Sequence, residues 1–349
     1  MDIVVINNPA AKTSGALTIL KELLEELSKL RCNRIFYIIV SLEELKIYES
    51  HNIRIEVIKT QNFIARILWD NLKLKKYLEK KKISPKLFMS LQNTPVNLNK
   101  NVRQLLYFHQ GLSVAKYKWR LFNKQERILW IYQNIFPFFI KLNLGKVEKV
   151  IVQTKWIKNE FSKKFKFNSE KIVIKKPRIR EIDIEKIEHK KNTKGKYTIF
   201  YPATPFIYKN HKLILEMLNQ INKNNNFSLK KIKCVFTFSK GENKEIDNLI
   251  KKYKLEDTVE LIGSVSQDKV LEYYKNSDLM IFPSLIESFG LPLLEAQQFK
   301  LKIIAISLPY AIEVLENYNE VEFIKGKDDL IKIMEKRIEN ESKHNNSLL

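Results

Sequence analysis

Cysteine is nearly absent from this chain: Cys32 and Cys234 are its two copies. No CxxC or clustered Cys/His spacing exists, which excludes a zinc knuckle and a disulfide framework and fits a reducing compartment. Long apolar runs are missing too. No stretch approaches the roughly 18 apolar residues that a membrane-crossing helix needs. The start offers Asp2 and the short run Ile3–Ile6, without the basic and apolar regions of a signal peptide, so a cytoplasmic location is expected. Eight Gly and ten Pro are too few for collagen-like or low-complexity architecture. No period of about 20–50 residues recurs, which argues against a solenoid or propeller.

What remains is an ordinary globular composition. The chain has 349 residues, 44% hydrophobic and 11% aromatic, enough for two domains with cores. Its charge is uneven. Residues 51–200 hold 35 Lys+Arg against 11 Asp+Glu, whereas the other residues hold 27 against 28. One block therefore carries the whole formal excess of +23. A localised basic surface suits a polyanion, such as anionic lipid headgroups, phosphorylated substrates or nucleic acid.

Short β-branched runs alternate with helical patterns. Strands are expected at Ile3–Ile6, Ile35–Val40, Ile53–Ile58, Leu87–Leu91, Gln104–Phe108 and Val150–Gln153. Helices are expected at Leu17–Leu30, around Phe63–Leu78 and at Thr154–Phe165, with Thr154 as N-cap. The rhythm restarts with Tyr197–Tyr201 and Asn210–Ile221. It continues through Ile232–Phe238, Asn243–Tyr253, Val259–Ile262, Asp268–Tyr274, Leu279–Phe282, Leu291–Phe299 and Lys302–Ile306. Strand–helix alternation predicts parallel sheets built of βαβ units. The break falls in the polar stretch Lys175–Lys196. The expected organisation is an α/β chain with an N-terminal Rossmann-like domain at 1–178, a linker at 179–196 and a second Rossmann-like domain at 197–349. Ligands of such sheets lie beyond the carboxyl ends of the strands, so the loops after Ile6, Phe108, Tyr201, Ile262 and Phe282 are the places for chemistry.

The most informative segment is 282–296, FPSLIESFGLPLLEA. A strand ends near Phe282, and Pro292 suits the first turn of a helix because it lacks only an N–H that no helical carbonyl would accept. The amides of Ser288, Phe289, Gly290 and Leu291 then surround a helix N-terminus, a ready site for a diphosphate. Gly290 lets the backbone approach the ligand. Glu287 and Glu295 flank the site with carboxylates able to accept hydrogen bonds from hydroxyls.

This E-x7-E in its ESFGLPLLEA context resembles the nucleotide-sugar motif of retaining glycosyltransferases of family 4, group 1 glycosyl transferases of GT-B fold. The resemblance implies two Rossmann-like domains facing across a cleft, the first binding acceptor and the second donor, and allows a last helix to return to the first domain. It implies that Glu287 contacts the donor sugar, Glu295 the ribose and the Ser288–Leu291 amides the diphosphate. The stretch 201–213, YPATPFIYKNHKL, resembles the family's phosphate-binding loop. That carries the phosphate role to Lys209, with Asn210 opening the next helix. Thr204 stands where many members have a second cation. The stretch 261–274, LIGSVSQDKVLEYY, resembles the loop near the base, with Gly263 and Val265. In the N-terminal half, SLQNTPVN and YFHQGLSVA resemble the bacterial branch and imply that His109 touches the donor sugar. The first βα loop keeps only Gly15 of the family's paired glycines.

D-x-D is missing, as are the P-loop and GxGxxG patterns. A metal under the diphosphate, an NTPase and a dehydrogenase are therefore not expected. The expected reaction is retaining sugar transfer from a UDP- or GDP-sugar to a glycan or lipid-linked glycan acceptor in bacterial surface polysaccharide synthesis, without metal. A nucleotide-sugar epimerase or hydrolase of the same fold needs an acid–base pair not found here. A nucleic-acid binder would leave ESFGLPLLEA without a role, so no nucleic acid is expected. The basic block with the apolar helices Phe63–Lys82 and Ile128–Leu144, the latter broken at Pro137, implies peripheral binding to anionic lipid on the inner face of the plasma membrane.

Overall fold

The computed structural model describes residues 2–11, 14–59, 63–177, 181–189, 195–223 and 229–346. The chain divides into two compact units, Met1–Pro177 and Arg178–Leu349.

The first unit is built on seven parallel strands: β1 (Asp2–Asn7), β2 (Arg34–Val40), β3 (Ile53–Val57), β4 (Leu87–Ser90), β5 (Arg103–Phe108), β6 (Val147–Val152) and β7 (Ile172–Ile174). Their order in the sheet is β3-β2-β1-β4-β5-β6-β7. Parallel strands covered on both faces become continuous apolar runs, as in the buried stretch Val4–Ile6 of β1. Helix α1 (Ser14–Lys29) inserts Leu20, Leu24 and Leu27 into one core. On another face Val5, Ile39 and Phe88 meet Trp69, Leu74 and Leu78.

The expected helix over 63–78 is interrupted. It forms α2 (Phe63–Leu68), a π-turn at Trp69–Lys73 and α3 (Leu74–Lys80). The wider turn buries both Trp69 and Asp70. The expected helix over 128–144 divides into α4 (Arg127–Asn134) and α5 (Phe136–Leu144). Pro137 lies in the first turn of α5, where it starts a helix and does not bend one. Helix α6 (Lys155–Phe165) follows its N-cap Thr154 and packs Ile157, Phe161 and Phe165 with Phe136, Ile140 and Leu144 of α5.

The second unit repeats the plan with six parallel strands: β8 (Tyr197–Tyr201), β9 (Ile232–Phe236), β10 (Val259–Leu261), β11 (Leu279–Phe282), β12 (Lys302–Ile306) and β13 (Val321–Ile324), ordered β10-β9-β8-β11-β12-β13. Its helices are α7 (His211–Lys223), α8 (Lys244–Lys252), α9 (Gln267–Lys275), α10 (Leu291–Gln298), α11 (Pro309–Val314) and α12 (Lys327–Asn346). The Asn243 side chain caps α8, accepting the amides of Glu245 and Ile246. Helix α12 lies against α7. The polar stretch before β8 is tied to this unit. Lys275 donates to the Ile184 carbonyl, Asn276 to that of Glu188, and Gln298 accepts the Ile182 amide.

Candidate active site

In each sheet the strand order reverses once, between β1 and β4 and between β8 and β11. Crevices open at the carboxyl ends of such pairs, and ligands bind there. In the second unit the loop after β8 carries Lys209 and the loop after β11 carries Glu287.

These two side chains meet. Lys209 Nζ lies 2.5 Å from Glu287 Oε1, and both are mostly shielded from water. The cation and the carboxylate implied for separate parts of a donor thus bridge the crevice and bind each other. Backbone contacts fix the two loops in register. The Leu285 amide donates to the Tyr208 carbonyl at 2.7 Å. Asn210 Nδ2 donates to the Pro283 carbonyl at 3.4 Å, and the Tyr201 hydroxyl to the Lys209 carbonyl at 2.8 Å. Asn210 itself is left-handed, φ 59°, which an asparagine tolerates better than most residues and which turns the chain into α7. His211, absent from the expected set, is buried beside this turn among Tyr201, Phe236 and Phe238. Burial, with the Lys209 charge second, pulls its pKa down to about 3 and keeps the ring neutral.

Gly290 is the N-cap of α10 at φ 98°. A Cβ there would adopt a backbone conformation that L-residues avoid and would lie 3.2 Å from Leu293 Cδ1. Pro292 occupies the first turn, as expected. The opening amides of a helix have no intrahelical acceptor, so this end offers donors and a partial positive charge to an anion. Phe289 anchors the loop with a buried ring while Ser288 stays half-buried beside it.

Glu295, one turn further on, accepts from the Tyr274 hydroxyl at 3.0 Å and from Gln267 Nε2 at 3.0 Å. Burial raises its pKa, partly offset by those two hydrogen bonds. Gln267 begins α9, directly after the loop holding Gly263 and Val265. Gly263 is left-handed, φ 76°, and donates its amide to the Phe238 carbonyl. The structure therefore gathers Lys209, Asn210, Glu287, Ser288, Phe289, Gly290 and Leu291 at the crevice, and links Glu295 through Gln267 to the Gly263–Val265 loop. Thr204 is exposed in the Lys209 loop, where its carbonyl accepts the Phe206 amide. No cation stands at that position.

In the first unit His109 directly follows β5. Its amide donates to Asn93 Oδ1 at 2.7 Å. Burial, with the Arg66 charge second, lowers its pKa to about 4. Its Nδ1 is buried without a hydrogen-bond partner among the described residues. Gly15 is the second residue of α1, and positions 12–13 of its loop lie outside the described residues. Sequence reasoning missed Asp70, whose carboxylate is fully buried at the β1/β4 crevice. A carboxylate on the stripe Ile67, Asp70, Leu74, Leu78, between apolar neighbours, was the available signal.

Two α/β units, each built on a parallel sheet whose strand order reverses once, are the architecture of a GT-B chain, and solved structures of that fold superpose on it. HepE of Anabaena, solved with UDP and glucose, is 12% identical, covers 98% of this chain and 91% of its own, and has a TM-score of 0.68. A glycosyltransferase of Rickettsia africae is 17% identical, covers 96% and 87%, and has a TM-score of 0.66. The model of the family Glycosyl transferases group 1 matches residues 183–348, nearly all of the second unit. Among curated relatives, the O-antigen chain mannosyltransferase RfbU of Salmonella typhimurium is 23% identical over 190 residues, 54% of this chain and 50% of RfbU. The chain spans half or less of the length of the curated relatives it matches.

Proposed function

We propose that this chain transfers a sugar, with retention, from a UDP- or GDP-sugar to a hydroxyl of a lipid-linked glycan in bacterial surface polysaccharide synthesis. The observation that carries the reading is the Lys209–Glu287 pair set across the β8/β11 crevice beside the Gly290 helix start. Lys209 and the α10 amides would take the diphosphate, whose negative charge grows as the glycosidic bond breaks. Glu287 would accept from hydroxyls of the sugar and Glu295 from the ribose. His109 would touch the donor sugar. Positive charge supplied by Lys209 and the helix start is the reason to expect activity without a divalent metal. The family match, the likeness to RfbU and the fold shared with HepE support the reading. Release of nucleoside diphosphate across a panel of UDP- and GDP-sugars tests it, and a panel with no turnover and no binding would sink it.

The same reading places the chain peripherally on anionic lipid at the inner face of the plasma membrane. Ile64, Leu68 and Leu72 recur every four residues on the exposed side of α2 and the π-turn. Helix α5 packs beside them, with Arg66 over the Phe136 ring and Asn143 bonded to Asn71, and it exposes Phe138 and Leu142. Exposed Lys73 and Lys141 lie on the same elements, and exposed Lys76 and Lys80 on α3, which follows the π-turn. Apolar side chains ringed by lysine suit an anionic interface, each cation adding about 1 kcal/mol near the surface. The lysine-rich end of the 63–82 segment is thus joined by an apolar face that periodicity alone did not separate from the core. Flotation with anionic vesicles tests this. Binding unaffected by both salt and Ile64→Ser/Leu68→Ser/Leu72→Ser would refute it.

A further inference from the structure

The β1/β4 crevice of the first unit is closed by a carboxylate that no motif marks. Asp70 Oδ1 accepts from Asn7 Nδ2 at 3.0 Å and from Gln92 Nε2. Its Oδ2 accepts from Thr94 Oγ1 at 2.7 Å. Trp69 Nε1 donates to Asn7 Oδ1 at 3.1 Å. The group thereby joins the last residue of β1, the π-turn and the loop that leaves β4.

Between Gln92 and Thr94 stands Asn93, with left-handed φ 67°. A non-glycine residue holds that conformation when its surroundings impose it, and here both flanking side chains are tied to one buried carboxylate. Asn93 Oδ1 is committed to the His109 amide. Its amide nitrogen is then the atom 3.5 Å from His109 Nε2, a long contact in which the nitrogen donates and the ring accepts. A neutral imidazole accepting at Nε2 carries its proton on Nδ1. That Nδ1 is the buried atom without a partner among the described residues. The tautomer leaves an N–H donor for which none of the described residues supplies an oxygen.

We propose that Asp70 is a positioning residue: its carboxylate fixes the Gln92–Thr94 turn, and through Asn93 that turn holds His109 with its Nδ1–H available to a sugar hydroxyl. The inference rests on the reading of His109 as a donor-sugar contact and adds the device that sets its tautomer. Asp70 does not touch substrate in this scheme. Arg66 is the charged neighbour acting on both Asp70 and His109.

The test uses the full chain labelled with 15N-histidine and long-range 1H–15N spectra, which report which ring nitrogen bears the proton. Wild type should show His109 as the Nδ1–H tautomer. Asp70→Asn keeps the size but turns amide hydrogens toward donors, so His109 should shift to mixed tautomers while His51, His189 and His211 stay in place. Thr94→Val removes one bond to Asp70 and should give a smaller shift of the same sign, which guards against an Asp70 variant that does not fold. With the UDP- or GDP-sugar most readily hydrolysed, Asp70→Asn should lower kcat at least tenfold and change the donor KM less than twofold. In a His109→Ala background it should have no further effect. Unmoved His109 resonances in folded Asp70→Asn, or equal losses in both backgrounds, would overturn the link from Asp70 to His109. A fully active His109→Ala variant would instead overturn the sugar-contact reading, and the proposed purpose of the device with it.

Discussion

Replacing Glu287 by alanine should split binding from turnover in a way that few substitutions do. Glu287 holds Lys209 at 2.5 Å, with the two side chains 14% and 16% exposed. Screening by water is therefore modest, and a hydrogen bond to a charged group is worth about 1.5–3 kcal/mol. If Glu287 accepts from a sugar hydroxyl at the transition state, its loss lowers kcat by roughly 10- to 150-fold, since about 1.36 kcal/mol is a decade in rate. The same substitution frees Lys209 of its competitor. A nucleoside diphosphate without sugar needs the cation and has no use for the carboxylate. Its affinity should rise several-fold in Glu287→Ala, the opposite of a collapsed site. Nucleotide release from the active donor gives kcat, and calorimetric titration with UDP and GDP gives the second quantity. Full turnover would refute the assignment of Glu287 to the sugar. Weakened diphosphate binding in a folded variant would refute the claim that Glu287 and the phosphate compete for Lys209.

Lys209→Ala should lower turnover more than donor affinity, because leaving-group charge peaks in the transition state; an effect confined to affinity would contradict that role. Glu295→Ala should weaken donor binding about tenfold or more by loss of a charge-assisted hydrogen bond to a hydroxyl, measured by calorimetry with the donor. Turnover should persist in EDTA, and complete loss restored by magnesium or manganese would contradict a site that relies on Lys209 and the α10 amides. Burial raises the Asp70 pKa from 3.8 to about 7 against the opposing Thr94 bond and Arg66 charge. The folded state then holds that proton more tightly than the unfolded chain. The contribution is fully present at pH below about 4 and is lost as pH rises through about 7. His109, lowered to about 4, works in the opposite direction as pH falls, so the informative quantity is wild type minus Asp70→Asn. In denaturant titrations wild type should lose ground to that variant between pH 5 and pH 8; a difference independent of pH would show that Asp70 does not titrate there.

Much of the architecture was legible because its signals are local. Strands β11 and β12 coincide with the expected runs Leu279–Phe282 and Lys302–Ile306, since parallel strands buried on both faces become unbroken apolar words. Pro292 and Gly290 marked the start of α10 through backbone geometry alone. Short elements with mixed exposure were not seen: β7 and β13 expose Val173 and Phe323 and have only three and four residues. The π-turn was invisible for a different reason. Burying Asp70 requires Asn7, Gln92 and Thr94, which lie 63, 22 and 24 residues away, and periodicity carries no record of partners. The resemblance named Lys209 and Glu287 one by one. Their mutual contact spans 78 residues and follows from the strand order, which brings β8 beside β11.

The two crevices share a solution whose consequence reaches past either site. Each is stoppered by polar groups bonded to one another, Lys209 to Glu287 in the second sheet and Asp70 to Asn7, Gln92 and Thr94 in the first. An apolar stopper would have to be torn out, with about 25 cal/mol lost for every Å² re-exposed to water. A polar one can be exchanged partner for partner, because a hydroxyl or phosphate returns the hydrogen bond it displaces, and each such bond differs from its replacement by only about 0.5–1.5 kcal/mol. At the Lys209–Glu287 crevice, entry of a hydrophilic guest would then be a sequence of small swaps that leaves the surrounding cores untouched, while the Asp70 cluster, which touches no substrate, would keep its bonds throughout.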